Sequence, residues 1–430
     1  MTLAVRSPQL LLPGHAVDRA RWPVVACDQF TSQADYWAET DRLVGDAAST
    51  LRLILPEVYL GAGDEARIAD IHRAMADVLN RDLLAPHAGP ILVRRTSRGA
   101  HGEHARHGVV VEVDLERYDF ARDSQSAVRA TEGTIVDRIP PRLRVRAGAA
   151  LELPHVLLLF DDPHDTVLGP LRARTASLAT AYDQALMQGG GHLQGWALDA
   201  AGEAHLWQSL AALSFGGAGE APLQFAVGDG NHSLATARTW WLQVKATLPE
   251  AQWADHPARW ALVEIENIHD PGLEFEPIHR VLFEVRRDPL ADLTAEFGAR
   301  VRVTAMTVDG LAAAVASYDR GQAAGLVTGA GAWLVEFTQP TAKLTVATMQ
   351  TWLDAWLKAG GAGGIDYVHG ADVTLDLGSK PGHAGILLPA IDKSGLFTSV
   401  RTDGPLPRKT FSMGEAWEKR YYFEARKIVP

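Results

Sequence analysis

The stretch LQFAVGDGNHSLATAR, Leu223 to Arg238, joins an apolar run to a corner of two glycines, an acid and an imidazole, and then to a periodic segment. Downstream, Leu234, Ala237, Trp241, Val244 and Leu248 recur at helical spacing. The order is therefore strand, turn, helix, with the helix expected to begin near Asn231 or Ser233, both good N-terminal caps. In that order the free N–H groups of the first helical turn face the corner, and Gly228 and Gly230 let an anion approach closely. A helix N-terminus contributes only about 0.3–1 kcal/mol to an anion, so a phosphate site needs further ionic hydrogen bonds of roughly 1.5–3 kcal/mol each. Asn231, His232 and Ser233 stand where they can supply some. On spacing alone, a structural turn made by Asp229 and Asn231 with His232 packed beneath it fits equally well.

Around this corner lies a chain of 430 residues, 47% hydrophobic, enough for two or three domains. The clusters WPVVA, LRLIL and PILVRR read as short strands, and EARIADIHRAMADVLNRDLL between the last two has helical spacing. HGVVVEVDLERYDF and HVLLLF read as further strands, and TMQTWLDAWLKA as a helix ahead of the strand-like IDYVHG. The expected fold is α/β to α+β, with mixed sheets and several domains. Prolines near residue 150 suggest a division into an N-terminal α/β region (1–150), a central phosphate-binding region (151–300) and a C-terminal α+β region (301–430). RIPPRLRVRAG, Arg138 to Gly148, places arginines at alternate positions, as a strand with one solvated face would.

Composition removes several function classes. The 52 acids against 41 bases give a net charge of -11 without any long basic block, which argues against nucleic acid as the main partner. No apolar stretch reaches the roughly 18 residues of a membrane span, and the first thirty residues lack the order of a secretory signal, so a cytoplasmic protein is expected. The single cysteine, Cys27, excludes an internal disulfide framework and a Cys-rich metal site, and reads as a lone buried thiol.

DGNHSLATA resembles the DGHHRYETA-type motif of the domain of unknown function 1015 (DUF1015) family. RATEGTIVDRIPPR (Arg129–Arg142), ENIHDPGLEFEPIHRVL (Glu266–Leu282), LPRKTFSMGEAWEKRYYFEARKI (Leu406–Ile428) and STLRLILPEVYL (Ser49–Leu60) look like segments of the same family. Its central motif is similar to the ParB and sulfiredoxin-like superfamily, whose members include nucleotide-binding proteins and free-serine kinases that hold phosphates at the turn and helix start. The resemblance implies a central unit of that kind, with Asp229, Gly230 and His232 matching the motif. Asn231 stands where the first histidine usually does, and Ser233 replaces the arginine. The missing cation must then come from elsewhere, with Arg129, Arg280 and Lys409 as candidates.

Phosphoryl transfer needs cations, often Mg²⁺, and a carboxylate to position or deprotonate the accepting hydroxyl. Asp229 could serve as base or metal ligand, and Glu57 lies at an expected strand end. His269, His279 and Arg280 flank a Pro-Gly turn and could line a pocket, and Glu132 either pairs with Arg129 or meets the ligand. His101, His104 and His107 read as solvated in a loop between strands, and the C-terminal segment as a charged amphipathic tail. The implied function is nucleotide-dependent phosphoryl transfer on a small hydroxyl-bearing metabolite, free serine or phosphoserine, with Mg²⁺ and ATP or ADP. A phosphatase on phosphoserine or a similar ester, and a noncatalytic nucleotide-binding regulator, are the alternatives. The expected partner is a small phosphorylated ligand, with neither nucleic acid nor membrane, and a homo-oligomer is compatible with it.

Overall fold

The computed structural model describes residues 2–31, 33–61, 63–99, 102–217 and 219–430. The chain packs as two units, Met1–Glu274 with Gly414–Pro430, and Phe275–Met413. The fold is a mixed-sheet α/β to α+β arrangement, as expected.

The strand Trp260–Asn267 shows how the first unit is built. Ala261, Val263 and Ile265 enter one apolar layer and Leu262 enters another, so the period-two alternation buries both faces. In chain order the strands of this unit are β1 (Val5–Arg6), β2 (Gln9–Pro13), β3 (Leu84–Ala88), β4 (Ile91–Gly99), β5 (Gly102–Asp114), β6 (Tyr118–Asp119), β7 (Val128–Ala130), β8 (Leu151–Glu152), β9 (Leu157–Phe160), β10 (Ala179–Ala185), β11 (His192–Ala197), β12 (Phe225–Asp229) and β13 (Trp260–Asn267), with a last short strand, Arg426–Lys427, paired to β8. Ten of them form one sheet in the order β10-β11-β4-β5-β13-β9-β12-β7-β6, with β1 paired to β5. The pairs β13/β9, β12/β7 and β6/β7 are parallel and the others antiparallel. The helices are α1 (Ala34–Val44), α2 (Glu65–Asn80), α3 (Ile139–Ala147), α4 (Leu168–Arg172), α5 (Ala200–Ala212) and α6 (Asn231–Lys245). Leu234, Ala237 and Trp241 of α6 pack into the layer that also holds Val227 of β12 and Phe160 of β9.

This sheet takes β4 and β5 from one side of residue 150 and β9 to β13 from the other, so residues of the expected regions 1–150 and 151–300 share one sheet. Of the prolines that suggested a boundary, Pro140 and Pro141 occupy the first turn of α3, where a missing N–H costs little, and Pro154 lies in the link between β8 and β9. RIPPRLRVRAG is thus a helix rather than a strand. Its alternate arginines each reach a carboxylate: Arg142 meets Glu57, Arg144 Nη2 lies 2.7 Å from Asp64 Oδ2, and Arg146 Nη2 lies 2.6 Å from Glu152 Oε2. WPVVA and LRLIL are not strands either. Val25 makes an isolated bridge to Tyr421, and Thr50–Leu53 is a 3-10 turn, since an apolar run this short takes its form from its neighbours.

The C-terminal segment is core rather than a surface tail. Arg420 (2% exposed) pairs with Glu264 and Glu424, and Arg426 reaches Glu152, so buried charge is matched by buried charge. His104 and His107 lie on β5 and not in a solvated loop: His104 Nε2 is 2.9 Å from Glu418, and His107 Nδ1 is 3.4 Å from Asp270. His101 lies outside the described residues.

The second unit is built on strands β14 (Phe275–Pro277), β15 (His279–Phe283), β16 (Val301–Met306), β17 (Gln322–Thr328), β18 (Gly331–Phe337), β19 (Gly364–Val368), β20 (Ala384–Leu387) and β21 (Phe411–Met413). Six form an antiparallel sheet, β16-β18-β17-β20-β15-β19. The expected helix Thr345–Lys358 packs Met349, Leu353 and Trp356 against it. No helix among the described residues is long and apolar enough to cross a membrane.

Candidate functional site

The corner between β12 and α6 turns on Gly230, whose φ of 80° is left-handed. A Cβ there would lie 3.0 Å from Val156 Cγ2 and 3.1 Å from Val156 Cα, so glycine is required by conformation and by space. Gly228 sits where the β12/β9 register shifts between Val227 and Asp229. The helix starts at Asn231 with Gly230 as its cap residue and no side-chain cap, contrary to the expected capping by Asn231 or Ser233. Their polar atoms are placed otherwise. Ser233 Oγ lies 2.6 Å from His155 Nε2, and Asn231 Oδ1 is buried without a hydrogen-bond partner. His232 Nε2 accepts the Ile135 N–H at 3.2 Å.

Asp229 ends β12 with Oδ1 accepting the Gly230 N–H at 2.9 Å and Oδ2 3.3 Å from the ammonium of Lys419. Lys419 is itself 8% exposed. This is a cation at the turn that sequence reasoning missed. Its signal was present in the EKR of the C-terminal segment, which looked like a solvated tail.

Behind the first turn of α6 lies a cavity of about 160 Å³, with Ser233, Leu234, Thr236 and Ala237 forming one wall. Its polar lining includes Cys27, Glu57, Arg142, His155, Ser233 and Tyr422 together with the Arg146–Glu152 pair and Thr236, and the remainder is mostly aliphatic. Glu57 opens a 3-10 turn, not a strand end; its N–H donates to the Cys27 carbonyl at 2.8 Å and its carboxylate meets Arg142. Burial raises the Glu57 pKa, Arg142 opposes this, the charge of Asp28 adds to it, and the net direction is up. Burial also works to raise Asp28, but His155, the Gln29 amide and Lys419 outweigh it and hold that carboxyl below its ordinary range. The two neighbouring carboxyls are thereby shifted in opposite directions. Burial, with Asp28 and Glu57, drives the Cys27 thiol well up, so it is neutral.

The other expected residues fall elsewhere. Arg129 is buried on β7 and donates to the carbonyls of Ser126, Ala221 and Pro222, at 2.8, 3.1 and 3.3 Å, which makes it a backbone clamp. Glu132 is half-buried in the loop after β7. His269 lies past the end of β13, 2.8 Å from Asp161 beyond the end of β9, whereas Asp229 is in register with the start of β9. His279, Arg280 and Lys409 belong to the second unit. There His279 Nδ1 accepts the Leu388 N–H at 3.1 Å, Arg280 Nε donates to Gln350 at 3.0 Å, and Lys409 is exposed.

A Mg²⁺ ion takes near-octahedral oxygen donors. Asp229, the carboxylate expected to hold it, accepts the Gly230 N–H at 2.9 Å and lies 3.3 Å from the Lys419 ammonium.

Residues 11–356 match the family described as Protein of unknown function (DUF1015). The chain belongs to that family. No curated protein matches this DUF1015 chain. Among solved structures it is similar to a free serine kinase in complex with AMP, at 10% identity and a TM-score of 0.36 over 74% of this chain and 91% of that one. It is also similar to a conserved hypothetical protein from Pyrococcus furiosus, at 11% identity and TM-score 0.34, covering 74% of this chain and 95% of that one. A third is SbnI with C-terminal truncation from Staphylococcus aureus, at 11% identity and TM-score 0.34, covering 70% and 81%. Likenesses this distant assign no residue of the DUF1015 chain a role.

Proposed function

We propose that this protein transfers a phosphoryl group between an adenine nucleotide and a small hydroxyl-bearing metabolite, with free serine or phosphoserine as the substrate class. The observation that carries the reading is that the first turn of α6 and the Glu57 carboxyl line one cavity. The helix start with Lys419 favours phosphate oxygens. Glu57, with its pKa raised by burial, takes the proton of the accepting hydroxyl, and Arg142 holds its orientation. At about 160 Å³ the cavity is smaller than the roughly 300–1,000 Å³ that drug-sized ligands fill, so it suits the metabolite and leaves the adenosine outside. The resemblance of the corner to nucleotide-holding turns supports the same reading.

The test is calorimetric titration of ATP, ADP, serine and phosphoserine, with and without Mg²⁺, into the wild type, Asp229→Ala and His232→Ala. Binding lost in both variants is expected. Binding unchanged in both removes the corner from the site.

A further inference from the structure

A serine in the first turn of a helix ordinarily turns its hydroxyl to the backbone. Ser233 is the third residue of α6, yet its Oγ lies 2.6 Å from His155 Nε2 and the residue lines the cavity. The imidazole is buried, at 8% exposed, and locked from the far side: its Nδ1 is 2.7 Å from Tyr422 Oη, and the two rings stand edge to face. Tyr422 Oη accepts the Cys27 backbone N–H at 3.1 Å. Asp28 Oδ2 stands 3.9 Å from Nε2. A hydroxyl against an imidazole nitrogen, with a third group fixing the ring and a carboxylate near the charge that would form, is the layout of an activated nucleophile.

We propose that Ser233 Oγ is the nucleophile that carries the phosphoryl group and that His155 is its base, so that transfer runs through a phosphorylated Ser233. The inference rests on the phosphoryl-transfer reading above. The serving tautomer donates Nδ1–H to Tyr422 Oη and leaves the Nε2 lone pair for the Ser233 proton. In the first half-reaction Oγ bonds to phosphorus, the bond from phosphorus to the donor's leaving oxygen breaks, and the Ser233 proton passes to Nε2, where Asp28 faces the imidazolium. In the second, the acceptor oxygen bonds to phosphorus as Glu57 takes its proton. The P–Oγ bond breaks, and Nε2 returns its proton to Oγ. The phosphoester sits at the N-terminus of α6, where negative charge is favoured.

The test uses the full chain and a biotinylated fluorophosphonate, in which Oγ displaces fluoride from phosphorus without any nucleotide, followed by peptide mapping. The expected result is a label on Ser233, absent in Ser233→Ala and formed at least tenfold more slowly in His155→Gln of unchanged melting temperature. Should His155→Gln melt early, Tyr422→Phe, which keeps the ring packing, is read instead and is expected to slow labelling at least threefold. No label on Ser233, or equal rates in the variant that keeps its fold, overturns the proposal. ATP binding by calorimetry with Ser233 unlabelled overturns the nucleophile alone. A labelled Ser233 in a protein that binds no nucleotide overturns the nucleotide reading and upholds the nucleophile.

Discussion

Lys419 and Asp229 meet at 3.3 Å, joining the last segment of the chain to the corner between β12 and α6. The pair leaves Asp229 with a fixed partner and places a shielded ammonium beside the start of α6. Lys419→Met keeps the stem and removes the charge. We expect a loss of roughly 1–3 kcal/mol in stability, from a charged hydrogen-bond partner left unpaired, together with at least tenfold weaker ATP binding. Thermal denaturation and calorimetry on the same preparation read both.

Gly230→Ala confronts a left-handed φ and a Cβ position 3.0 Å from Val156. Strain of about 1–3 kcal/mol is expected, with a lowered melting temperature and a displaced first turn of α6. A melting curve matching the wild type would show that the corner relaxes freely.

Glu57→Gln keeps the shape of the cavity wall and removes its base. Phosphoryl transfer to serine should fall by about 10²–10⁴ while ligand binding persists, as expected for a general base. Stability gives a second readout. A carboxyl whose folded pKa is raised disfavours folding as pH climbs above its ordinary value of 4.5, so the stability of Glu57→Gln relative to wild type should be higher in neutral buffer than below that value, on top of a pH-independent cost of unpairing Arg142. Denaturant midpoints across this range decide it.

His279 sets a pH limit on the second unit. Burial, with Arg280 beside it, lowers its pKa from 6.5 to about 4, and its Nδ1 must stay unprotonated to accept the Leu388 N–H. Between these values the unfolded chain holds a proton that the folded unit rejects. Stability therefore falls as pH drops through this window, by up to roughly 3 kcal/mol at 1.4 kcal/mol per unit, and is full above it. His279→Gln should flatten that dependence in denaturant titrations between these two pH values.

Arg420 lies between Glu264 and Glu424 with 2% exposure. Among the described residues, Arg420→Leu leaves Glu264 with only Arg106 and Glu424 with only the Tyr182 hydroxyl, and a loss of about 3–5 kcal/mol is expected. Adding Glu264→Gln should recover part of it in a double-mutant cycle.

The amino-acid sequence by itself determined the local forms with long, regular patterns. The strand, turn and helix of Leu223 to Lys245 follow from apolar spacing and from glycines at the one corner that needs them, and α2 and the helix Thr345–Lys358 follow from the same periodicity. Asp229, Ser233 and Glu57 were legible as site candidates because their residue types suit phosphate chemistry. Only the tertiary structure decided the rest. RIPPRLRVRAG looks alternating, yet it becomes a helix because Glu57, Asp64 and Glu152 receive its arginines. Lys419 and Arg420 look solvated, yet folding buries them against Asp229 and Glu264, and His155 and Tyr422 meet Ser233 from distant segments. Spacing along a chain reports which face a residue occupies, while the partner that makes burial of a charge favourable arrives from far away in sequence, where no local pattern records it.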